Sequence, residues 1–279
     1  MSSYVFYNGE FGTAEDMKIP ISDRSIFFGD AIYDAAVGRY EFIMWGDEHI
    51  ERFLLNASRI GIEHSYTKAY LIELLKEIAV KSCIPEYFIY FQMSRDSQKR
   101  VHSAVGCRSN LLVTIEPIEI PREAKPMRLV SCEDLRYGYC DIKTVNLLPA
   151  VLASTTAEKE KCDEAVFIKD GIVTECAKSN VSILKNGILK THPLSNRILP
   201  GITRRHLLLA CEKLGIPCLE ECFGAEEMLA ADEVLVSSTT KLVRRANMID
   251  GRAVGMKDEK NAVQIYQLLY SELEKLGKI

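Results

Sequence analysis

No apolar run in this chain approaches the roughly 20 residues that a membrane-spanning helix needs, so no membrane partner is expected. The opening residues, Met1-Ser2-Ser3-Tyr4, lack the charged and apolar regions of a secretory signal. There is no Cys-x-x-Cys pair, and Cys218 and Cys222 stand four apart without a histidine cluster. A zinc site, or any metal centre, is therefore not expected. Nine cysteines is an odd count, and the reading is reduced thiols in a cytoplasmic protein rather than a disulfide scaffold. A basic excess is missing too. The formal net charge is -4, which gives a nucleic-acid role no global electrostatic support. Arg204-Arg205 and Arg244-Arg245 are local pairs that suit a small anionic ligand as well as any polymer.

What remains is ordinary globular composition, 47% hydrophobic and 27% charged over 279 residues, enough for one large domain or two medium ones. Strands are expected at Tyr4–Tyr7, Ala31–Phe42, Glu86–Ser94 and Asn110–Glu116. Two amphipathic helices lie among them. The first opens at Asp47 and carries Ile50, Phe53, Leu54, Ala57 and Ile60 on one face; the second starts near Lys68 with Leu71, Leu74, Leu75, Ile78 and Ala79. Three prolines and mixed charges over Pro117–Pro126 mark a linker. Strands resume at Met127–Cys132, Glu164–Lys169, Ile172–Glu175 and Asn180–Leu184, with helices near 150–161, 203–214 and 261–276. Asp170-Gly171, Asn186-Gly187 and Asp250-Gly251 are hairpin turns, because both central residues of the tight turn need positive φ. The pattern predicts an α+β fold: a smaller N-terminal α/β domain over 1–120, a linker at 121–126, and a larger β-rich domain over 127–279.

Several residues stand out chemically. Lys143 lies in the apolar run Cys140-Asp141-Ile142-Lys143-Thr144-Val145-Asn146-Leu147-Leu148. A desolvated lysine can act as a carbonyl-attacking amine; a lysine at a strand edge can equally snorkel to water. Leu199-Pro200-Gly201-Ile202-Thr203-Arg204 opens a helix whose free N–H groups suit phosphate, the alternative being an ordinary N-cap by Thr203. Ser237-Ser238-Thr239-Thr240 ends an apolar strand with four hydroxyls, either phosphate donors or a polar turn. Glu175 ends a hairpin strand, where it pairs with a protonated ring nitrogen or is simply solvated. Arg100-Val101-His102 would set two cationic side chains on one face of an extended segment, fit for a carboxylate or for a basic surface loop. Arg52 reads as the polar side of its helix, and Tyr33 as a strand aromatic.

Taken in order, these pieces resemble the class IV, or fold-type IV, pyridoxal-phosphate aminotransferases. Asp23-Arg24, Phe28-Gly29-Asp30 with Tyr33, Glu48-His49-Ile50 with Arg52, Lys143 with Asn146-Leu147-Leu148, Glu175 with Ser179-Asn180, Gly201-Ile202-Thr203-Arg204 and Ser238-Thr239-Thr240 stand where that family has them. Within it, Ile89-Tyr90-Phe91-Gln92 and Arg100-x-His102 are most similar to the bacterial D-amino acid enzymes. The resemblance implies pyridoxal 5'-phosphate held as a Schiff base on Lys143, with Arg52, Ile202, Thr203 and Thr240 at its phosphate and Ser238 and Thr239 also binding the cofactor. It also implies Glu175 at the ring nitrogen, Leu199 against the ring and Ser179 nearby. Tyr33, Arg100 and His102 would take the substrate carboxylate. The implied activity is amino transfer between a D-amino acid and a 2-oxo acid, in a homodimer with shared active sites. Aminodeoxychorismate lyase and branched-chain or amine transaminases share the scaffold. Lys178, Asp96 and Val37 depart from the family pattern and bear on substrate scope.

Overall fold

The computed structural model describes residues 4–96, 99–120 and 125–275. The chain divides into two compact units. The first takes residues 1–120 together with Ile142–Asn146, so the segment carrying Lys143 belongs to it rather than to the C-terminal domain expected over 127–279. Of the expected linker, 121–124 lie outside the described residues.

The first unit contains β1 (Tyr4–Tyr7), β2 (Glu10–Thr13), α1 (Arg24–Phe28), β3 (Ala31–Arg39), β4 (Phe42–Ile43), α2 (Gly46–Arg59), α3 (Lys68–Ser82), β5 (Glu86–Arg95) and β6 (Ser109–Pro117). Its six-stranded sheet runs β2-β1-β6-β5-β3-β4. The strand expected over 31–42 is broken at Tyr40, whose positive φ turns the chain back into β4. Strand alternation sends Ile32, Ala36, Tyr87, Ile89, Phe91 and Met93 to one core with Leu111, Val113 and Ile115. Onto that core α2 lays Ile50, Phe53 and Ala57, and α3 its full expected stripe of Leu71, Leu74, Leu75, Ile78 and Ala79. Each fully buried Leu, Ile or Phe among these contributes about 1.5–3 kcal/mol. Thr67 caps α3 by accepting from the Tyr70 N–H at 3.2 Å. Helix α2 starts at Gly46, one residue before the expected Asp47, which instead lies in the acidic first turn. Residues 142–146 pair with the start of β3: the Tyr33 N–H donates to the Lys143 carbonyl at 2.9 Å, and the Val145 N–H to Ala31 at 3.2 Å.

The second unit contains β7 (Met127–Glu133), α4 (Leu148–Lys159), β8 (Glu164–Lys169), β9 (Ile172–Cys176), β10 (Asn180–Lys185), β11 (Ile188–Thr191), α5 (Ile202–Leu214), β12 (Cys218–Glu220), α6 (Ala225–Leu229), β13 (Glu233–Ser238), β14 (Leu242–Ile249), β15 (Arg252–Ala253) and α7 (Glu259–Lys275). The sheet order is β12-β11-β10-β13-β14-β7-β8-β9, with β15 on β14. All three expected tight turns have both central residues at positive φ. One face of the sheet buries Val166, Val173, Val181, Ile183, Val234 and Val236 with Phe223 and Met228. On the other, Arg204 of α5 donates to the Thr191 hydroxyl at 3.3 Å and to the His192 carbonyl at 2.9 Å. Among the described residues no helix is long and apolar enough to cross a membrane.

Candidate functional site

In the first unit, alternation along β3 separates two chemistries. Tyr33 points to the half-buried face, where its ring stacks on Tyr90 with centroids 5.3 Å apart, and Lys143 Nζ lies 4.4 Å from the Tyr33 ring centroid. The ring's negative face attracts a cation held there. Asp34 points to the opposite, helix-covered face and is fully buried. Its carboxylate accepts from Arg52 Nε and Nη2, each at 2.8 Å, and meets His49 Nδ1 at 2.8 Å. Burial alone would raise the Asp34 carboxyl, but the Arg52 and His49 charges outweigh it and hold it well below the usual carboxylate range. Burial pushes the His49 imidazole below its ordinary value, against the pull of Asp34. Arg52 is therefore not on the polar side of its helix, as its sequence neighbours suggested; only 9% of it is exposed, and a carboxylate 18 positions away in sequence fixes its guanidinium. His49 Nε2 is buried with no hydrogen-bond partner among the described residues.

Arg100 and His102 lie in a loop, not in an extended strand. They still share a face, since both sit against Phe28: the Arg100 guanidinium is 5.4 Å and the His102 ring 5.3 Å from its centroid. Val37, one of the family departures, is buried in β3.

The second unit builds its site around Asn180, which opens β10. Its Nδ2 donates to Glu175 Oε2 at 2.9 Å and to the Leu199 carbonyl at 3.0 Å. Across the sheet it pairs with Ser237 of β13. Gly201, just before α5, approaches so closely that a Cβ there would sit 2.0 Å from Asn180 Oδ1. Glu175, Leu199, the start of α5 and the end of β13 thus all adjoin one amide. Glu175 is 5% exposed; besides Asn180 it accepts the Leu199 N–H at 3.0 Å and a charged bond from Arg136 Nη1. Arg136 is held in turn by Asp134, at 2.9 Å from Nε and 2.7 Å from Nη2. Sequence reasoning missed Arg136, Asn180 as a hub, and Asp34; the alternation of β3 was the available signal for Asp34, since an acid at an apolar-phase position demands a partner.

At α5 the N-cap is Gly201 with no side-chain cap, so the alternative of capping by Thr203 does not hold. Thr203 lies inside the first turn, and its hydroxyl is buried with no partner among the described residues, as are those of Ser237 and Ser238. Unpaired buried hydroxyls and uncapped helix N–H groups, with no acidic residue in that first turn, form a donor set that fits the phosphate of pyridoxal phosphate. Thr239 and Thr240 form the turn that follows β13. Ser179 does not join that set: its hydroxyl lies 2.9 Å from both oxygens of the buried Glu164, which also receives Lys241 and the Lys178 N–H. Burial pushes the Cys140 thiol up to about 11 and the Cys176 thiol well above its ordinary value. Both stay protonated at neutral pH and are poor nucleophiles there.

The family model described as amino-transferase class IV matches residues 32–249. A D-alanine aminotransferase of Staphylococcus epidermidis is 38% identical over 254 residues, 90% of each chain. One from Listeria monocytogenes is 33% identical over 279 residues, 96% of each chain. The branched-chain aminotransferase of the thermophilic archaeon Thermoproteus uzoniensis, solved with norvaline, shares the fold. It superposes with a TM-score of 0.89 at 23% identity, covering 99% of this chain and 97% of that one. With the family model matching most of the chain and these relatives matching nine-tenths or more of it, the chain belongs to the class IV aminotransferases.

Proposed function

We propose that this enzyme moves an amino group between a D-amino acid, such as D-alanine or D-glutamate, and a 2-oxo acid. The observation that carries the reading is the shared name of relatives matching nine-tenths or more of both chains. The presence of Arg100 and His102 on one aromatic ring supports it. Bound pyridoxal phosphate supplies a reactive carbonyl carbon and a ring that accepts the electron pair left when a Cα–H bond breaks.

The chain's own residues do the rest. Lys143 Nζ would hold the cofactor covalently and then carry the proton removed from Cα. Glu175, locked by Arg136, Asn180 and Leu199, would keep the ring nitrogen protonated. Arg52, its plane fixed by Asp34, would bind the phosphate with the Ile202 and Thr203 N–H groups and the hydroxyls of Ser238, Thr239 and Thr240. Leu199 would pack on the ring. Ser179 would act at one remove, since its hydroxyl braces the turn between Glu175 and Asn180 through Glu164. Tyr33, Arg100 and His102 would take the substrate carboxylate. The latter two are exposed, which suits a homodimer in which each chain lends them to its partner. Nine free thiols suit the cytoplasm.

The test is an assay of paired D- and L-amino acids with pyruvate or 2-oxoglutarate, scored beside pyruvate release from aminodeoxychorismate. Preference for D-alanine and D-glutamate is expected. Preference for L-leucine or L-valine, or lyase turnover without amino transfer, refutes the reading.

A further inference from the structure

Arg24 is an arginine with 3% exposure in a five-residue helix, beside a loop that is open to water. Its Nε donates to Asp30 Oδ2 at 2.8 Å. Nη1 donates to the Val101 carbonyl at 2.6 Å and lies 3.4 Å from that of Ser103. Nη2 donates to the His102 carbonyl at 2.9 Å. The same guanidinium lies 4.6 Å from the Phe28 ring centroid, the ring on which Arg100 and His102 rest. Asp30 is gripped a second time by Arg95 and begins the segment leading to Tyr33.

The loop's own backbone bonds among the described residues include Asp96 N–H to the Arg108 carbonyl at 2.7 Å and Cys107 N–H to the Ala104 carbonyl at 3.3 Å. Val101 is 50% exposed, and its N–H turns back to the Lys99 carbonyl at 2.7 Å within the loop. A guanidinium presents five N–H donors in one rigid plane. Here that plane joins three loop carbonyls, one strand-leading carboxylate and one ring. A lysine ammonium has neither the span nor the flat face for this.

We infer that Arg24 is a positioning residue for α-carboxylate substrates: by anchoring their loop on Asp30 it sets where Arg100 and His102 stand, the two residues that would meet the partner subunit's Tyr33. The inference rests on the proposed reading of those three residues as the carboxylate receptor. The bonds and ring contact of Arg24 go to Asp30, Val101, His102, Ser103 and Phe28, so its loss should fall on carboxylate recognition.

The experiment compares Arg24→Lys, Arg24→Ala and Arg100→Ala holoenzymes with the wild type. D-alanine KM and kcat are measured, with the single-turnover rate toward isopropylamine, a primary amine without a carboxylate. The Arg24 variants should raise the D-alanine KM about 10- to 100-fold with kcat within about threefold. The isopropylamine rate per bound cofactor should be unchanged, and guanidinium ion should lower the raised KM of Arg24→Ala. Equal losses toward D-alanine and isopropylamine, or an unchanged KM in cofactor-loaded variants, overturn the inference. If Arg24→Ala does not fold, Arg24→Lys decides between the same outcomes. An unchanged KM in Arg100→Ala removes the carboxylate-receptor reading and this inference with it. A raised KM there, with none in the Arg24 variants, removes this inference only.

Discussion

Gly201→Ala is a one-methyl change whose effect can be worked out from the geometry. The backbone at Gly201 has φ -66 and ψ 134, which any L-residue adopts, so no strain arises from the main chain. The added Cβ would stand 2.0 Å from Asn180 Oδ1, roughly 1.5 Å inside the separation at which such atoms attract. Asn180 has to move by more than about 1 Å, and its amide then leaves Glu175 Oε2 and the Leu199 carbonyl, now 2.9 and 3.0 Å away. A hydrogen bond to a charged partner contributes about 1.5–3 kcal/mol and a neutral one about 0.5–1.5 kcal/mol, so the expected loss is roughly 2–4.5 kcal/mol. Replacing the glycine cap adds at most about 1 kcal/mol. Urea unfolding measures the sum, and spectrophotometric titration should show weaker cofactor retention as Glu175 and the start of α5 lose their common anchor. The discriminating arm is an Asn180→Ala background, where Gly201→Ala should cost only the cap, about 1 kcal/mol or less. A cost that is the same in both backgrounds, or wild-type stability in Gly201→Ala, would refute the steric argument.

Three further outcomes are expected. Glu175→Gln should keep the cofactor, because Arg136 retains both bonds to Asp134, yet slow single-turnover proton removal at least about 10-fold; an unchanged rate would mean that another group holds the ring proton. Asp34 has its carboxyl lowered in the folded chain, so the stability it adds is present above the unfolded value of about 3.9 and is lost as pH falls toward the lower folded value. Asp34→Asn should therefore be less stable than the wild type at pH 7 by about 3–5 kcal/mol, with the gap closing below about pH 4; a gap that does not change with pH would count against the charge pairing. A mixed dimer of Arg100→Ala and Lys143→Ala chains should regain about half the wild-type activity per dimer, as reciprocal sharing requires, and no recovery in verified heterodimers would mean that each chain supplies its own carboxylate receptor.

What the sequence revealed tracks the range of the forces involved. The stripe of α3 was legible in full because its spacing is set within one helix. The turns at Asp170, Asn186 and Asp250 were legible because two adjacent residues decide them. Asn180 opens β10 as expected and Glu175 stands one residue before the end of β9, which runs on to Cys176, for the same local reason. The burial of Arg52 was not legible, since it depends on Asp34 arriving from another element. Arg136 sits in an unremarkable stretch after β7, and its importance comes from Glu175, 39 positions on. Arg24 matched the family pattern without its purpose being visible, because the carbonyls it holds lie 77 and 78 positions away.

The five residues from Ile142 to Asn146 have a consequence for how such enzymes can be recombined. They belong with residues 1–120 although 21 residues of the other unit come between. The first unit is therefore not a contiguous module. A chimera joined at residue 120 would take its lysine from one parent and the Tyr33 ring and β3 edge that seat it from the other. A growing chain likewise has no finished first unit until Asn146 has left the ribosome. A junction after Asn146 keeps the lysine with the strand that receives it but parts β7 and Arg136 from β8, β14 and Glu175, so a clean exchange needs two junctions, around residues 121–141.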